Sequence, residues 1–276
     1  MGPGLPDTPA PAGRPAGLLS GLFRLGPACG TCGLRLPVRR GRSLPADLVA
    51  QWELTPRWAR WFGEREGSRC PWCRSSLRSG QLAAAIVREA NRLAGTRARH
   101  LRGLFDDPRA RALAIAEINS AGQLHRHLAR CPGLRYSEYG SRVPGVPSED
   151  LTGLSYADAT FDLVVTSDTL EHVPDADAAL REILRVLRPG GAHVFSAPVV
   201  WDRPSRRRAE LRDGRLVHLL PPSHHGDGAS DMLVFHEFGA DFPERCRAAG
   251  FEVELRRDAE NEALVTFTAR RPRPGA

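Results

Sequence analysis

The most distinctive spacing in the chain belongs to four cysteines in two Cys-x-x-Cys pairs, Cys29 with Cys32 and Cys70 with Cys73. A tight turn can aim both thiolates of a pair at one point, and two pairs supply the four sulfurs of a closed, structural zinc site. A redox pair or four unrelated thiols are the alternatives, although neither pair lies on a thioredoxin-like pattern. We therefore predict structural zinc in an N-terminal zinc ribbon.

A second stretch contains two histidines and an acid, His224, His225 and Asp227, which lie between prolines and glycines. An imidazole can take up a proton near neutral pH, and with a carboxylate it can also form a ligand set or a lid. His172 follows a predicted strand and is expected to face the same region. We predict His225, His172 and Asp227 as catalytic residues, with His225 helping to deprotonate or orient the substrate.

Strands and helices must position these groups. The sequence pattern predicts such elements most clearly over residues 161–199. The apolar, β-branched run at 161–165 predicts a buried strand, and Asp175 can cap a helix with apolar residues at helical spacing. Pro189-Gly190-Gly191 is expected to end that helix and turn the chain into a second strand over 192–199. A strand, a helix and a strand predict a parallel sheet, whose ligands lie beyond the strands' C-terminal ends.

This stretch, FDLVVTSDTLEHV followed by LREILRVLRPGGAHVFSAP, resembles class I S-adenosylmethionine-dependent methyltransferases of the type 11-like group. The resemblance is close over roughly 40 residues and looser over 106–276. It implies an α/β fold: a doubly wound, mostly parallel, seven-stranded Rossmann-like sheet with a terminal antiparallel hairpin. A predicted helix over 238–250, followed by strands at 251–255 and 264–267, fits that ending.

The resemblance also implies a binding site for S-adenosylmethionine after the first predicted strand, residues 111–118. Glu117 matches the acid that faces the cofactor, and Gly122 matches the final glycine of the loop that follows. Asn119, Ser120 and Ala121 replace the usual glycines. Small residues still let the backbone approach the cofactor, so we interpret the loop as diverged and keep Asn119 and Ala121 among its binding residues.

Four more positions complete the predicted cofactor set. Glu138 lies 21 residues after Glu117, near the end of a second predicted strand, where the family places an acid on the ribose hydroxyls. Asp150 and Leu151 match the segment that meets adenine, and Ser167 follows the central strand. The negative charges of Glu117, Glu138 and Asp150 would also attract the positively charged sulfonium of the cofactor.

The net charge of the 276-residue chain is +7, and all 39 of its basic Lys and Arg positions are arginine. Such a bias is typical of a GC-rich genome, which weakens the basic charge as an indication of nucleic-acid binding. Residues 1–100 hold 16 arginines against 6 acids, whereas 101–276 hold 23 against 26. The N-terminal arginines, with nearby tryptophans, could hold RNA or a phosphorylated substrate; a solvated basic face is the alternative.

The length allows one α/β domain and a smaller module. We predict a disordered tail at 1–28, the zinc ribbon at 29–78, a linker helix in 79–105, and the methyltransferase domain at 106–276 with an insert at 200–237 over its active-site face. No apolar run reaches the roughly 20 residues that span a bilayer, and we find no signal peptide. We therefore expect a cytoplasmic protein without a membrane partner.

The expected function is transfer of a methyl group from S-adenosylmethionine to a small molecule or a sugar. An RNA methyltransferase, including one for ribosomal RNA, is the alternative, although residues 166–169 lack the N-P-P-[FY] motif of transfer to a base nitrogen. Two other classes are a non-catalytic protein that binds the cofactor or a partner, and another nucleotide-dependent enzyme, which would need phosphate-binding glycines. The acceptor atom and the oligomeric state stay open.

Overall fold

The computed structural model describes residues 28–38, 41, 44–225 and 232–275, so Asp227 and nearly all of the predicted tail lie outside the described residues. The helices in these residues are α1 (Ala46–Gln51), α2 (Pro56–Gly67), α3 (Leu77–Ala94), α4 (Leu101–Leu104), α5 (Pro108–Arg111), α6 (His125–Leu128), α7 (Ala176–Val186) and α8 (Phe242–Ala248). The strands are β1 (Ile115–Ile118), β2 (Leu134–Ser137), β3 (Phe161–Ser167), β4 (Leu187–Ser196), β5 (Val199–Val200), β6 (Arg206–Arg207), β7 (Ala209–Arg212), β8 (Arg215–His218), β9 (His224–His225), β10 (Met232–Leu233), β11 (His236–Gly239), β12 (Glu252–Arg257) and β13 (Val265–Arg270).

The central sheet has the strand order β12-β13-β4-β3-β1-β2. Strands β2, β1, β3 and β4 are parallel, whereas β13 runs antiparallel to both β4 and β12. This arrangement confirms the predicted α/β fold with a mostly parallel sheet and a terminal antiparallel hairpin. The predicted count of seven strands is wrong for the described residues, because residues 138–160 connect β2 to β3 without a strand. Their glycines and prolines favour turns over strand pairing.

The β3–α7–β4 unit forms as predicted, with one change. Asp175 caps α7 by accepting a hydrogen bond from the Ala178 amide at 2.9 Å, and the apolar face of α7 is buried. However, β4 already begins at Leu187, and the pairing of β3 with β4 shifts register there, so Pro189-Gly190-Gly191 lies within the strand. A side chain on Gly191 would meet the Asp162 carbonyl oxygen at 2.9 Å, so glycine permits this close approach.

Two other element boundaries differ from the sequence prediction. Residues 108–111 form α5, which begins at a proline after the capping residue Asp107, so β1 is shorter than the predicted strand at 111–118. Phe238 lies in β11, and α8 starts only at Phe242. Strand β1 and helix α8 otherwise lie where the sequence predicts a strand and a helix.

Helices cover both faces of the sheet. Helices α7 and α8 pack on one face, around Phe195 and Phe267. Helix α3 packs on the other, where Leu82 and Ile86 share a buried cluster with residues of β1, β3 and β4. The helix predicted as a linker is therefore also a structural layer of the α/β domain.

The helices α1 and α2 pack against the predicted insert. Trp52, Trp58 and Phe62 share a buried cluster with Val200 and Val234. The Trp52 indole also donates a hydrogen bond to the Ser223 hydroxyl at 3.0 Å. The insert, predicted as a break in the sheet pattern, forms the short strands β5 to β11. Among the described helices, none has both the length and the apolar character needed to cross a bilayer.

Candidate active site

The carboxylate of Asp168 marks the C-terminal edge of the sheet, where β3 and β4 end side by side. Ser167 and Ser196 are register partners there. The Asp168 amide donates to the Ser196 carbonyl at 3.1 Å, and the Ser196 hydroxyl donates to the Asp168 carboxylate at 2.7 Å. Asp168 has a φ of 48°, a left-handed conformation that few residues other than glycine adopt. Ligands of parallel α/β sheets bind at this edge.

Two arginines of the N-terminal module reach this edge. Arg65 donates two hydrogen bonds to Asp168, at 2.6 and 2.7 Å, and Arg78 donates to the Ser167 hydroxyl at 2.6 Å. The Arg65 side chain is only 2% exposed. Burial alone would raise the pKa of Asp168, but the guanidinium groups of Arg65 and Arg78 outweigh it and hold that pKa well below its usual range. The carboxylate is thus charged.

Next to this pair, Glu171, His172 and His225 bring their ligand atoms within 4.8 Å of one another. The structure thus brings His172 and His225 together, with ring centroids 4.8 Å apart. Burial lowers the pKa of His225 to about 4 and also lowers that of His172, so both rings are neutral at pH 7. Neutral imidazoles can accept a proton or bind a metal ion.

On the cofactor side, Glu117 holds the loop that follows β1. Its buried carboxylate accepts hydrogen bonds from the Ala121 amide at 2.8 Å and contacts the His125 ring nitrogen at 2.7 Å. Asn119 and Gly122 have φ values of 58° and 60°, and a side chain on Gly122 would meet no atom within 4 Å. The loop is therefore open on the side of Gly122, although only one of its residues is glycine.

Glu138 lies directly after β2, at the same edge of the sheet as Glu117. It is half-buried and accepts a hydrogen bond from the Tyr136 hydroxyl. Asp150 is exposed and accepts hydrogen bonds from the Thr152 amide and hydroxyl at 2.8 and 2.7 Å. Leu151 is buried in the hydrophobic cluster beside the sheet.

The four cysteines of the two pairs converge. Cys29 and Cys73 have sulfur atoms 3.6 Å apart, and those of Cys32 and Cys70 are 3.9 Å apart. Tetrahedral zinc with Zn–S bonds of about 2.3 Å separates its sulfurs by about 3.8 Å, whereas a disulfide needs about 2.05 Å. The spacing therefore fits a tetrahedral metal site and not a disulfide.

The surroundings of the cysteines differ from the predicted ribbon. Gly33 and Arg74, which follow the two pairs, both have positive φ, at 81° and 64°, so the two turns are alike. In the described residues between the pairs, the chain forms α1 and α2, and strand-like pairing is limited to one bridge between Arg69 and Ser76. The helices form because their aromatic residues pack against the insert.

Sequence analysis missed the importance of Asp168 and Glu171, and of the inward direction of Arg65 and Arg78. Both acids belong to the SDTLEH run after β3, so their place beyond a buried strand was a usable indication. No local pattern could have shown that Arg65 pairs with Asp168, because that contact depends on the tertiary fold.

Comparison with known proteins adds a family match. Residues 121–195 match the family model described as a methyltransferase domain. The chain is 40% identical over 90 residues to a demethylmenaquinone methyltransferase of Mycolicibacterium paratuberculosis. This match covers 32% of this chain and 39% of that protein. It is 29% identical over 155 residues to norajmaline N-methyltransferase of Rauvolfia serpentina, covering 49% and 48%. The matches thus span less than half the length of these relatives.

Among solved structures, the sugar N-methyltransferase KedS8 from Streptoalloteichus sp. ATCC 53650 is similar, with 17% identity, a TM-score of 0.41, and coverage of 62% of this chain and 86% of that one. The family match falls on the loop after β1, the strands β2, β3 and β4, and helix α7. The part of the chain that is similar to methyltransferase domains is therefore the mostly parallel α/β sheet described above.

Proposed function

We propose that the protein transfers a methyl group from S-adenosylmethionine to a small molecule or a sugar. The observation that carries this proposal is the methyltransferase-domain match over 121–195, whose strands β3 and β4 end near the cluster of Glu171, His172 and His225. The curated relatives named above are methyltransferases of small molecules by their names, demethylmenaquinone and norajmaline.

The residues around the β1 and β2 ends fit the cofactor. When bound, S-adenosylmethionine supplies a methyl group on a positively charged sulfur that an acceptor can attack in line. Glu138 would accept hydrogen bonds from the ribose hydroxyls, and the loop of Asn119, Ala121 and Gly122 would lie against the amino-acid part. Glu117 would act by positioning that loop, since both of its oxygens are already engaged.

The remaining cofactor residues would act around the base. Asp150 would meet the adenine amino group and Leu151 would pack beneath the ring. Ser167 would border the site at the end of β3, where Arg78 holds its hydroxyl. Of these residues, Ser167 ends β3 at the C-terminal edge of the parallel strands, where such a fold binds ligands.

On the acceptor side, His172 and His225 are the candidate catalytic residues, with Asp227 as the third expected member. Their neutral rings are suited to orient an acceptor by hydrogen bonding. Burial lowers the pKa of both rings, so they are weak bases, but the proton of an attacking hydroxyl becomes strongly acidic as the new bond forms, and a weak base can then take it. The enzyme's main contribution would be alignment of the acceptor with the methyl group, because an in-line displacement depends strongly on geometry.

The arginines favour a small acceptor over RNA. Of the four that flank the second cysteine pair, Arg65 and Arg78 are engaged with Asp168 and Ser167 inside the protein. Only Arg69 and Arg74 point outward. In the insert, Arg206 and Arg208 both donate to the buried Glu237. These inward arginines could contact RNA phosphates only by leaving a buried carboxylate unpaired.

We also propose that Cys29, Cys32, Cys70 and Cys73 hold one structural zinc ion. The supporting observation is the spacing of 3.6 and 3.9 Å between sulfur atoms of two similar turns. Four protein ligands close the coordination sphere, so this ion would stabilise the N-terminal module without taking part in catalysis. Such reduced thiols suit the cytoplasm, where we propose that the protein acts.

Calorimetry with S-adenosylhomocysteine tests the cofactor proposal directly. We expect a dissociation constant in the micromolar range, together with transfer of label from methyl-labelled cofactor into a small-molecule extract. Binding weaker than about millimolar would contradict the proposal and favour a non-catalytic protein. Label that appears in RNA in place of small molecules would assign the alternative acceptor.

A further inference from the structure

Glu171 presents an unusual carboxylate beside the candidate active site. Its side chain is fully buried, and neither of its two oxygens has a hydrogen-bond partner among the described residues. Arg65 directs both of its terminal nitrogens to the neighbouring Asp168. A buried carboxylate without a partner is costly unless it binds a proton or a cation.

Two imidazoles face this carboxylate. The Nδ1 atom of His172 lies 2.9 Å from the Leu233 carbonyl oxygen, and since a carbonyl only accepts, Nδ1 carries the hydrogen. The Nε2 atom therefore keeps its lone pair, and it lies 3.9 Å from a Glu171 carboxylate oxygen. A backbone carbonyl that fixes the tautomer in this way is the usual support of a metal-binding histidine.

His225 reaches the same point from the insert. It belongs to β9, which pairs with β10, and His172 holds β10 through Leu233. The neighbouring Ser223 is held by the Trp52 indole at 3.0 Å. The position of the His225 ring is thus fixed from both the central sheet and the N-terminal module.

We propose that Glu171, His172 and His225 form a binding site for a divalent transition-metal ion, separate from the cysteine site. Their ligand atoms lie within 4.8 Å of one another. Three ligands bound at about 2.1 Å lie roughly 3.0 to 3.5 Å apart, so the side chains would close by about an ångström on binding. Two imidazole nitrogens and one carboxylate oxygen suit ions such as zinc, iron(II) or cobalt(II), whereas magnesium and calcium prefer oxygen ligands.

The site would also define the acceptor. Three protein ligands leave coordination positions open, and the cluster lies just beyond β3 at the sheet edge where substrates bind. An acceptor hydroxyl bound there would lose its proton more easily, because a metal ion lowers the pKa of a bound hydroxyl. As metal ligands, His172 and His225 would orient this oxygen through the ion, and the proton would pass to solvent. The oxygen would then form a bond to the methyl carbon as the carbon–sulfur bond breaks, and S-adenosylhomocysteine would leave with the electron pair. This second step rests on the proposed function and specifies a hydroxyl or related oxygen as the methyl acceptor; metal binding itself does not depend on it.

Titration with Co²⁺ of the 276-residue protein that holds only one zinc ion per chain, at the cysteines, tests the site without cofactor or acceptor. We expect one Co²⁺ per chain with visible absorption typical of nitrogen and oxygen ligands and without a thiolate charge-transfer band, which would report exchange at the cysteines. The Glu171→Gln and His225→Ala variants should each bind Co²⁺ about a hundredfold more weakly or worse. Removing a metal ligand weakens metal binding more than removing a residue that only supports a ligand, which already costs about 10- to 100-fold. The exposed neighbour His224 provides the matched control, and His224→Ala should bind as the wild type does.

Three results would overturn the site. Wild-type protein that binds no Co²⁺ outside the cysteines would show that Glu171 is instead protonated. Equal binding by the wild type, Glu171→Gln and His225→Ala would place the ion elsewhere. Loss of binding in His224→Ala as strongly as in His225→Ala would show a loop effect. Because Glu171→Gln keeps the shape of the side chain, its circular dichroism and retained zinc content separate a lost ligand from a lost fold.

Discussion

Arg65 and Asp168 are 103 residues apart in sequence and form a two-pronged ion pair, with N–O distances of 2.6 and 2.7 Å. One residue belongs to helix α2 of the N-terminal module, and the other directly follows β3 of the central sheet. The module therefore completes the C-terminal edge of the sheet. Its helices and the insert share one hydrophobic cluster, which holds the module beside the candidate active site.

Removal of Arg65 should destabilise the protein strongly. We expect Arg65→Met to lower the free energy of unfolding by about 3 to 5 kcal/mol, because Asp168 would be left charged with much of its pairing lost. Urea denaturation followed by circular dichroism measures the change. Arg69→Met is the control, since Arg69 is an exposed arginine of the same segment. A loss for Arg65→Met no larger than for Arg69→Met would contradict a stabilising role of the pair.

Glu138 is predicted to hold the cofactor ribose. Glu138→Ala should weaken binding of S-adenosylhomocysteine by about 2 kcal/mol, or roughly 30-fold, as expected for two hydrogen bonds to a charged acceptor. Isothermal calorimetry measures this. Asp150→Ala should have a smaller effect, because packing also holds the adenine. Glu252, an exposed acid on the opposite edge strand β12, serves as the control through Glu252→Ala; wild-type affinity in Glu138→Ala would remove Glu138 from the site.

His225 should matter for turnover and not for cofactor binding. We expect His225→Ala to lower kcat by roughly a hundredfold, the usual contribution of a positioned acid–base group, with the affinity for S-adenosylhomocysteine unchanged. The adjacent His224 is exposed, so His224→Ala should keep wild-type turnover. Once an acceptor is known, steady-state kinetics compare the two variants. Parallel losses of turnover and thermal stability in His225→Ala would mark the ring as structural.

The cysteine site should contain one zinc ion per chain by elemental analysis. Cys70→Ser should lose that ion and unfold the N-terminal module, because metal binding at such a site is coupled to folding. The tryptophan emission of Trp52 and Trp58 should then shift toward that of solvent-exposed indoles, since both are buried in the module. Cys131→Ala, a change at a buried cysteine outside the cluster, should retain zinc. Purified wild-type protein without stoichiometric zinc would refute the site.

Elements whose cause is local or periodic could be predicted from the sequence. The apolar run of β3, the Asp175 cap and the amphipathic face of α7 predict one strand–helix unit, because burial and capping act within a few residues. The cysteine spacing likewise predicts that four thiols can converge. His172 and His225 are identifiable as residue types capable of acid–base chemistry, which needs no knowledge of their neighbours.

The way in which these elements combine depends on long-range packing, which the sequence does not reveal. The direction of Arg65, the burial of Glu171 and the meeting of His172 with His225 depend on the packing of the N-terminal helices and the insert over the sheet edge. The burial and the ion-pair partner of a charged residue depend on groups far away in sequence. The sequence therefore does not distinguish an arginine on an exposed basic face from one that pairs with a buried carboxylate. The helical form of the module has the same origin, since its tryptophans are buried against residues about 150 positions further along the chain.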